Sequence, residues 1–146
     1  MPSRHRARER ALQMIFQWEA SREEPSKVID KFWGGLAAEI GEEQPKEDAF
    51  ANQLLLGVAR QSKSLDELIR KHAANWRLER MAAVDRNILR MAIFEMRGGE
   101  TPPAIVINEA LELGRRYSGD QSARFLNGVL DAIRKTLEEE AARATP

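Results

Sequence analysis

The chain has 146 residues, enough for one domain with a substantial core and too few for two independent domains of ordinary size. Its 23 Lys plus Arg balance 23 Asp plus Glu, so no global field drives binding to polyanions and any such site must be local. Cysteine is absent, which excludes disulfides, thiolate metal sites and a cysteine nucleophile; no apolar run reaches membrane-spanning length and the amino end lacks the apolar middle of a secretory signal, so the sequence reads as cytoplasmic and soluble, with no membrane partner.

Apolar residues recur at three and four spacing along the chain and nowhere alternate for long, which predicts an all-α fold. The first helix is expected from Ser3, as N-cap, to near Arg22, with Ala11, Leu12, Ile15, Phe16 and Trp18 toward the core. Its opening is charged against expectation. Arg4, Arg6, Arg8 and Arg10 crowd a helix start that carries partial positive charge and unpaired N–H groups, where Asp or Glu would normally stand. A phosphate backbone would satisfy both the guanidinium groups and the helix terminus, and a solvated, frayed end is the plain alternative. On a helical wheel Arg8 falls on the side of Leu12 and Ile15, which predicts a side chain turned toward the protein body.

A second helix starts at Pro25, carries Val28, Ile29, Phe32, Trp33, Leu36 and Ile40, and stops at Gly41, with Gly34 and Gly35 weakening its middle. After the polar stretch from Glu42 to Lys46, a third shows Phe50, Leu54, Leu55 and Val58 and ends by Ser62. Ser64-Leu65-Asp66-Glu67 reads as a capping box that opens a fourth helix toward Trp76. Met81 to Met96 is the most apolar helix and so is placed centrally, closed by Gly98 and Gly99. Ile105 to Tyr117 forms the sixth, and a seventh follows the Gly119-Asp120 turn, with Phe125, Leu126, Val129, Leu130, Ile133 and Leu137 before it decays into the charged Glu138-Glu139-Glu140. The expectation is about seven helices in one domain over 1–146, in two packed subbundles of roughly 1–76 and 77–146 meeting near Trp76 to Met81.

Catalytic constellations are missing. His5 and His72 are the only histidines, which leaves almost nothing for a metal centre or a Ser-His-Asp arrangement. Gly98-Gly99-Glu100 lacks both the ending and the preceding strand of a phosphate loop and reads as a helix stop. Glu95, Glu109 and Asp131 are read as salt-bridge partners, with Arg8 one candidate cation, in preference to acid–base or metal roles. Asn108, Asn127 and Gly128 interrupt apolar helices and are read as buried polar crosslinks and a close helix approach. No catalytic residue, metal or cofactor is expected.

Several segments together resemble the NusB family of bacterial transcription antitermination factors. Arg6-Ala7-Arg8-Glu9 with Ala11-Leu12-Gln13 is similar to the family's opening, Phe50 to Val58 to its third helix, and Val84 to Ala92 with Glu95 to its central one. Pro103 to Leu113, containing Val106-Ile107-Asn108-Glu109-Ala110, and Phe125 to Asp131 resemble the next and last helices, whereas Arg22 to Lys46 matches nothing. The resemblance implies an all-α, noncatalytic protein that binds the boxA element of nascent ribosomal RNA, as a single strand, together with NusE, a small-subunit ribosomal protein, and helps the transcription elongation complex resist termination. By the same resemblance the RNA contacts are Arg4, Arg6, Arg8, Arg10 and Gln13 in the first helix, then Gln121, Arg124 and Phe125 at the start of the last. Phe125 could stack on a base or lie in the core. Asp85 and Phe16 fall at positions associated with NusE, although Asp85 could instead cap the central helix and Phe16 could be core. His5 and Gln121 depart from the family pattern, the first from a basic residue and the second from an acidic one.

Two other functions remain open on the sequence. The same helical fold fronts some RNA methyltransferases, but no glycine-rich nucleotide-binding segment follows within these 146 residues. A protein–protein scaffold, as a homodimer through exposed helix faces, would reduce the arginines to solubilising groups.

Overall fold

The structure, a computed structural model, describes residues 3–41 and 46–144. Six α-helices and one 3-10 turn, Leu78–Arg80, are present among them, with no strand: α1 Arg4–Ser21, α2 Pro25–Ile40, α3 Ala49–His72, α4 Ala83–Gly98, α5 Pro103–Tyr117 and α6 Asp120–Ala144. Most of the expected polar stretch after α2, Glu42 to Pro45, lies outside the described residues. The chain divides into two compact units, Met1–Arg60 and Gln61–Pro146. This division falls within α3, whereas the sequence places a seam near Trp76 to Met81.

The first unit holds α1, α2 and the first half of α3. Ser3 caps α1 by accepting the Arg6 N–H at 3.1 Å, and the helix ends where Arg22 turns left-handed (φ 58°) and its N–H returns to the Trp18 carbonyl. Pro25 opens α2 and Gly41 (φ 79°) closes it as expected, while Gly34 and Gly35 stay helical on its exposed side. The buried stripe of α1 is Ala7, Arg8, Ala11, Leu12, Met14 and Ile15, and α2 contributes Val28, Ile29, Phe32, Trp33 and Ala37. Phe16 and Trp18, expected in the core, are half-buried. Trp33 donates its indole N–H to Asn52 at 2.7 Å, which fastens α2 to α3 through a satisfied polar group.

Seven expected helices become six because α3 does not break at Ser64. The Ser64 hydroxyl donates back to the Gln61 carbonyl at 3.1 Å, the local bond that lets serine sit inside a helix, and no glycine or proline stands between Val58 and His72. Inside the expected capping box, Asp66 takes a two-pronged ion pair from Arg90 of α4, at 2.7 Å from Nε and 3.0 Å from Nη2. Arg90 also donates to Asn87 Oδ1 at 2.9 Å. Both Arg90 and Asn87 are buried in α4, the central helix of this unit, which packs on α5 and α6.

Asn108 and Asn127 are exposed, contrary to the crosslink reading, and a Cβ at Gly128 would meet only open space. The close approach of α5 and α6 lies at Gly114, where a Cβ would come within 2.6 Å of Leu126 Cδ1. His72 is half-buried and spans Leu68 O at 3.0 Å and Thr136 Oγ1 at 2.7 Å, which ties α3 to α6. Asp131 pairs with Arg134 at 2.7 Å and Lys135 at 3.4 Å on the surface of α6.

Candidate nucleic-acid interface

The four amino-terminal arginines divide into two sets by helical spacing. Arg4 and Arg8, four residues apart, both lie over the Phe50 ring of α3, their guanidinium carbons 3.9 and 5.4 Å from its centroid. Arg4 stays exposed, but Arg8 is only 4% exposed. The expected inward turn of Arg8 is therefore observed, and it stands against the RNA contact that the resemblance implies at Arg8: a buried guanidinium cannot present its donor fork to a phosphate in solvent.

Arg6, Arg10 and Gln13 follow one another at four and three residues and share a different face of α1, continued by exposed Gln17. Arg6 and Gln13 are exposed and Arg10 is half-buried. No carboxylate among the described residues forms an ion pair with Arg6 or Arg10, and the nearest in sequence, Glu9, is taken by His5 at 3.0 Å. The face is thus a stripe of uncompensated cations and amides at a helix start that has no acidic residue in its first turn. Its electrostatics favour an anion, and its amides can add hydrogen bonds. Gln17 was absent from the sequence expectation, although its spacing from Gln13 would have found it.

The second unit holds the other expected group. Gln121 and Arg124 are exposed in the first turns of α6 and Phe125 is half-buried. Phe125 is neither free nor core: its ring meets Trp76 edge-on, centroids 5.6 Å apart and planes at 68°. Arg124 lines an open groove of about 390 Å³ with Arg115, Leu111, Asp120, Ala123 and Asn127, so that α5 and α6 bring two guanidinium groups to one concavity. Arg115 escaped the sequence reading because a basic residue in a helix's last turn already has a reason to be there.

Asp85 does not cap α4; the N-cap is Ala82, which makes no side-chain bond. The Asp85 carboxylate, in the first turn, instead accepts the Ser122 hydroxyl through Oδ1 and so joins α4 to the start of α6. Nearby, Arg86 donates to the Leu78 and Met81 carbonyls, both at 3.1 Å, which fixes the 3-10 turn leading into α4. Each expected group is therefore built on its own unit: the arginine stripe on α1, and Gln121, Arg124 and Phe125 on α6.

The model of the NusB family matches residues 5–135. A transcription antitermination protein NusB from Solibacter usitatus is 44% identical over 142 residues, covering 97% of this chain and 95% of its own, and one from Koribacter versatilis is 44% identical over 94% and 92%. Among solved structures, T. maritima NusB is 28% identical with a TM-score of 0.76 over 92% of each chain. NusB from Aquifex aeolicus in solution is 26% identical with a TM-score of 0.77, over all of this chain and 97% of that one. A crystal structure of the antitermination factors NusB and NusE in complex with dsRNA matches at 26% identity and a TM-score of 0.74, over 92% and 99%.

Proposed function

The chain belongs to the NusB family, whose members are noncatalytic transcription antitermination factors, and from that premise we propose that it binds boxA-containing single-stranded RNA of nascent ribosomal transcripts, together with NusE, in the transcription elongation complex. The observation that carries the RNA reading is the stripe of Arg6, Arg10 and Gln13 on α1, cationic and without a paired carboxylate among the described residues. Arg4 adds an exposed guanidinium beside it in sequence, and Gln121, Arg124 and Phe125 form the contact surface of the second unit. The match to a NusB and NusE pair in complex with dsRNA supports both partners. Phe16, half-buried, and Asp85, which accepts the Ser122 hydroxyl through Oδ1, are assigned to NusE.

The test is fluorescence anisotropy of a labelled boxA RNA against a scrambled strand and a duplex of the same sequence, across salt, with and without NusE. Single-stranded boxA should bind best and NusE should tighten it. Each phosphate contact on a single strand contributes roughly −0.7 to the log–log salt slope, so Arg6→Ala with Arg10→Ala should flatten it by about 1.4. Arg8→Ala should leave the slope nearly unchanged, since Arg8 is buried. No sequence preference with or without NusE would sink the proposal.

A further inference from the structure

Trp76 leaves 60% of its surface in water, although tryptophan is ordinarily largely buried. The exposure does not come from a loose loop. The Trp76 N–H donates to the Ala73 carbonyl at 2.9 Å, the Arg77 carbonyl accepts from Arg80 and Met81 at 2.9 and 3.1 Å, and the indole rests edge-on against Phe125. The ring is thus held in one place and still wet. It lines a groove of about 350 Å³ whose other walls are Arg70, Ala73, Ala74, Arg77, Glu79 and the buried Leu78. Glu79, the carboxylate of this groove, is paired with Arg70 at 3.4 Å and also feels the charge of Arg77, so two guanidinium groups share one carboxylate and the groove keeps a positive excess.

The chemistry of this patch matches an unpaired nucleobase. Each ring has an arginine next to it in sequence, Arg77 after Trp76 and Arg124 before Phe125, both exposed. Aromatic rings interleaved with guanidinium groups are how single strands are held: the rings stack on bases and the cations take the phosphates. A protein-binding anchor would instead sit within an apolar surround that excludes water. Here Ala74, Asn75, Arg77 and Arg80, all exposed, are small, polar or charged.

We propose that Trp76 is a second base-stacking residue, forming with Phe125 a two-ring platform for consecutive unpaired RNA bases, with Arg77 and Arg124 on the adjoining phosphates; this rests on the RNA-binding reading above. The experiment uses the full chain and a labelled single-stranded boxA RNA, intact and with an abasic nucleotide at each position in turn. Trp76→Ala should weaken the intact RNA by about 10- to 100-fold, Trp76→Phe should keep most of the affinity, and at one abasic position wild type and Trp76→Ala should become equal. Intact RNA should also quench indole emission in the wild type more than in Trp76→Phe, a readout that does not depend on the alanine variant folding. Wild-type affinity in Trp76→Ala would overturn the platform and hand the ring to a protein partner, while the RNA reading would stand on the unchanged binding. Equal loss on intact and every abasic RNA would also overturn it, reducing Trp76 to a support for Phe125. Failure of the wild type to bind any RNA removes both readings together.

Discussion

The same change, glycine to alanine, should have opposite signs at Gly114 and Gly128. In the middle of a helix alanine is favoured over glycine by about 1 kcal/mol, because glycine loses more backbone freedom on folding. At Gly128 a Cβ meets nothing within 4 Å and the backbone is not left-handed, so Gly128→Ala should collect most of this and stabilise by about 0.5–1 kcal/mol. At Gly114 the new Cβ would lie 2.6 Å from Leu126 Cδ1, well short of the roughly 3.5–4.0 Å of a normal carbon contact. Leu126 is fully buried, so its methyl can give way only by changing rotamer against the close-packed neighbours around it. Overpacking of this kind costs about 1–3 kcal/mol, which outweighs the propensity gain and leaves Gly114→Ala destabilising by about 1 kcal/mol. Thermal unfolding should then show the two variants on either side of wild type, each displaced by roughly 2–4 °C, with urea m-values unchanged. Leu126→Val, which removes the Cδ atoms, should recover part of the loss in the Gly114→Ala background, so that the double-mutant cycle is not additive. A Gly114→Ala protein as stable as Gly128→Ala would refute the close approach of α5 and α6.

Arg90→Ala should cost about 3–5 kcal/mol in urea unfolding, because it strands the part-buried Asp66 carboxylate, and replacing both partners by apolar residues of similar volume should recover much of it. A loss below about 1 kcal/mol would mean that the pair behaves as a surface bridge. Asp131 has its carboxyl held below the usual 3.8, first by the hydrogen bond from Arg134 and then by Lys135. A lowered folded pKa means that the unfolded chain binds the proton more readily, so this contribution is present above about pH 4 and is lost as pH falls through the folded value. The urea midpoint of Asp131→Asn should therefore trail wild type near neutral pH and meet it once the pH has fallen through the lowered folded value, and a gap constant across pH would contradict the assignment.

Helix starts and stops were legible where backbone chemistry dictates them. Ser3, Pro25, Gly41 and Gly99 mark ends because a side-chain acceptor, a fixed φ or a left-handed turn is needed there, and the structure uses each one. Ser64 misled because a serine hydroxyl that would cap a helix start can also bond back to a carbonyl inside a continuous helix, and here it bonds to that of Gln61. The asparagines misled for a related reason: one polar residue on a helix does not say which side of the stripe it occupies, and Asn108 and Asn127 both fall outside. Gly114 gave no signal, since its role depends on Leu126 across the α5 and α6 contact. For the interface, the wheel position of Arg8 was enough to predict that it turns inward, but its shared ring with Arg4 was not, because Phe50 is more than forty residues away in the chain. Trp76 was read as a point on a seam, because a large apolar residue gives no indication in sequence that it will remain in water.

The Phe50 ring beneath Arg4 bears on the entropy of binding. A free arginine side chain has about 2 kcal/mol of rotamer freedom to lose when it is fixed on a ligand. Arg4 is exposed yet already leans on an aromatic face 3.9 Å away, so part of that freedom is gone before any ligand arrives. Arg6, which has no such aromatic rest among the described residues, has more of that freedom still to lose. Two arginines of equal charge, two residues apart, would thus differ in how much order each must acquire at the moment of contact.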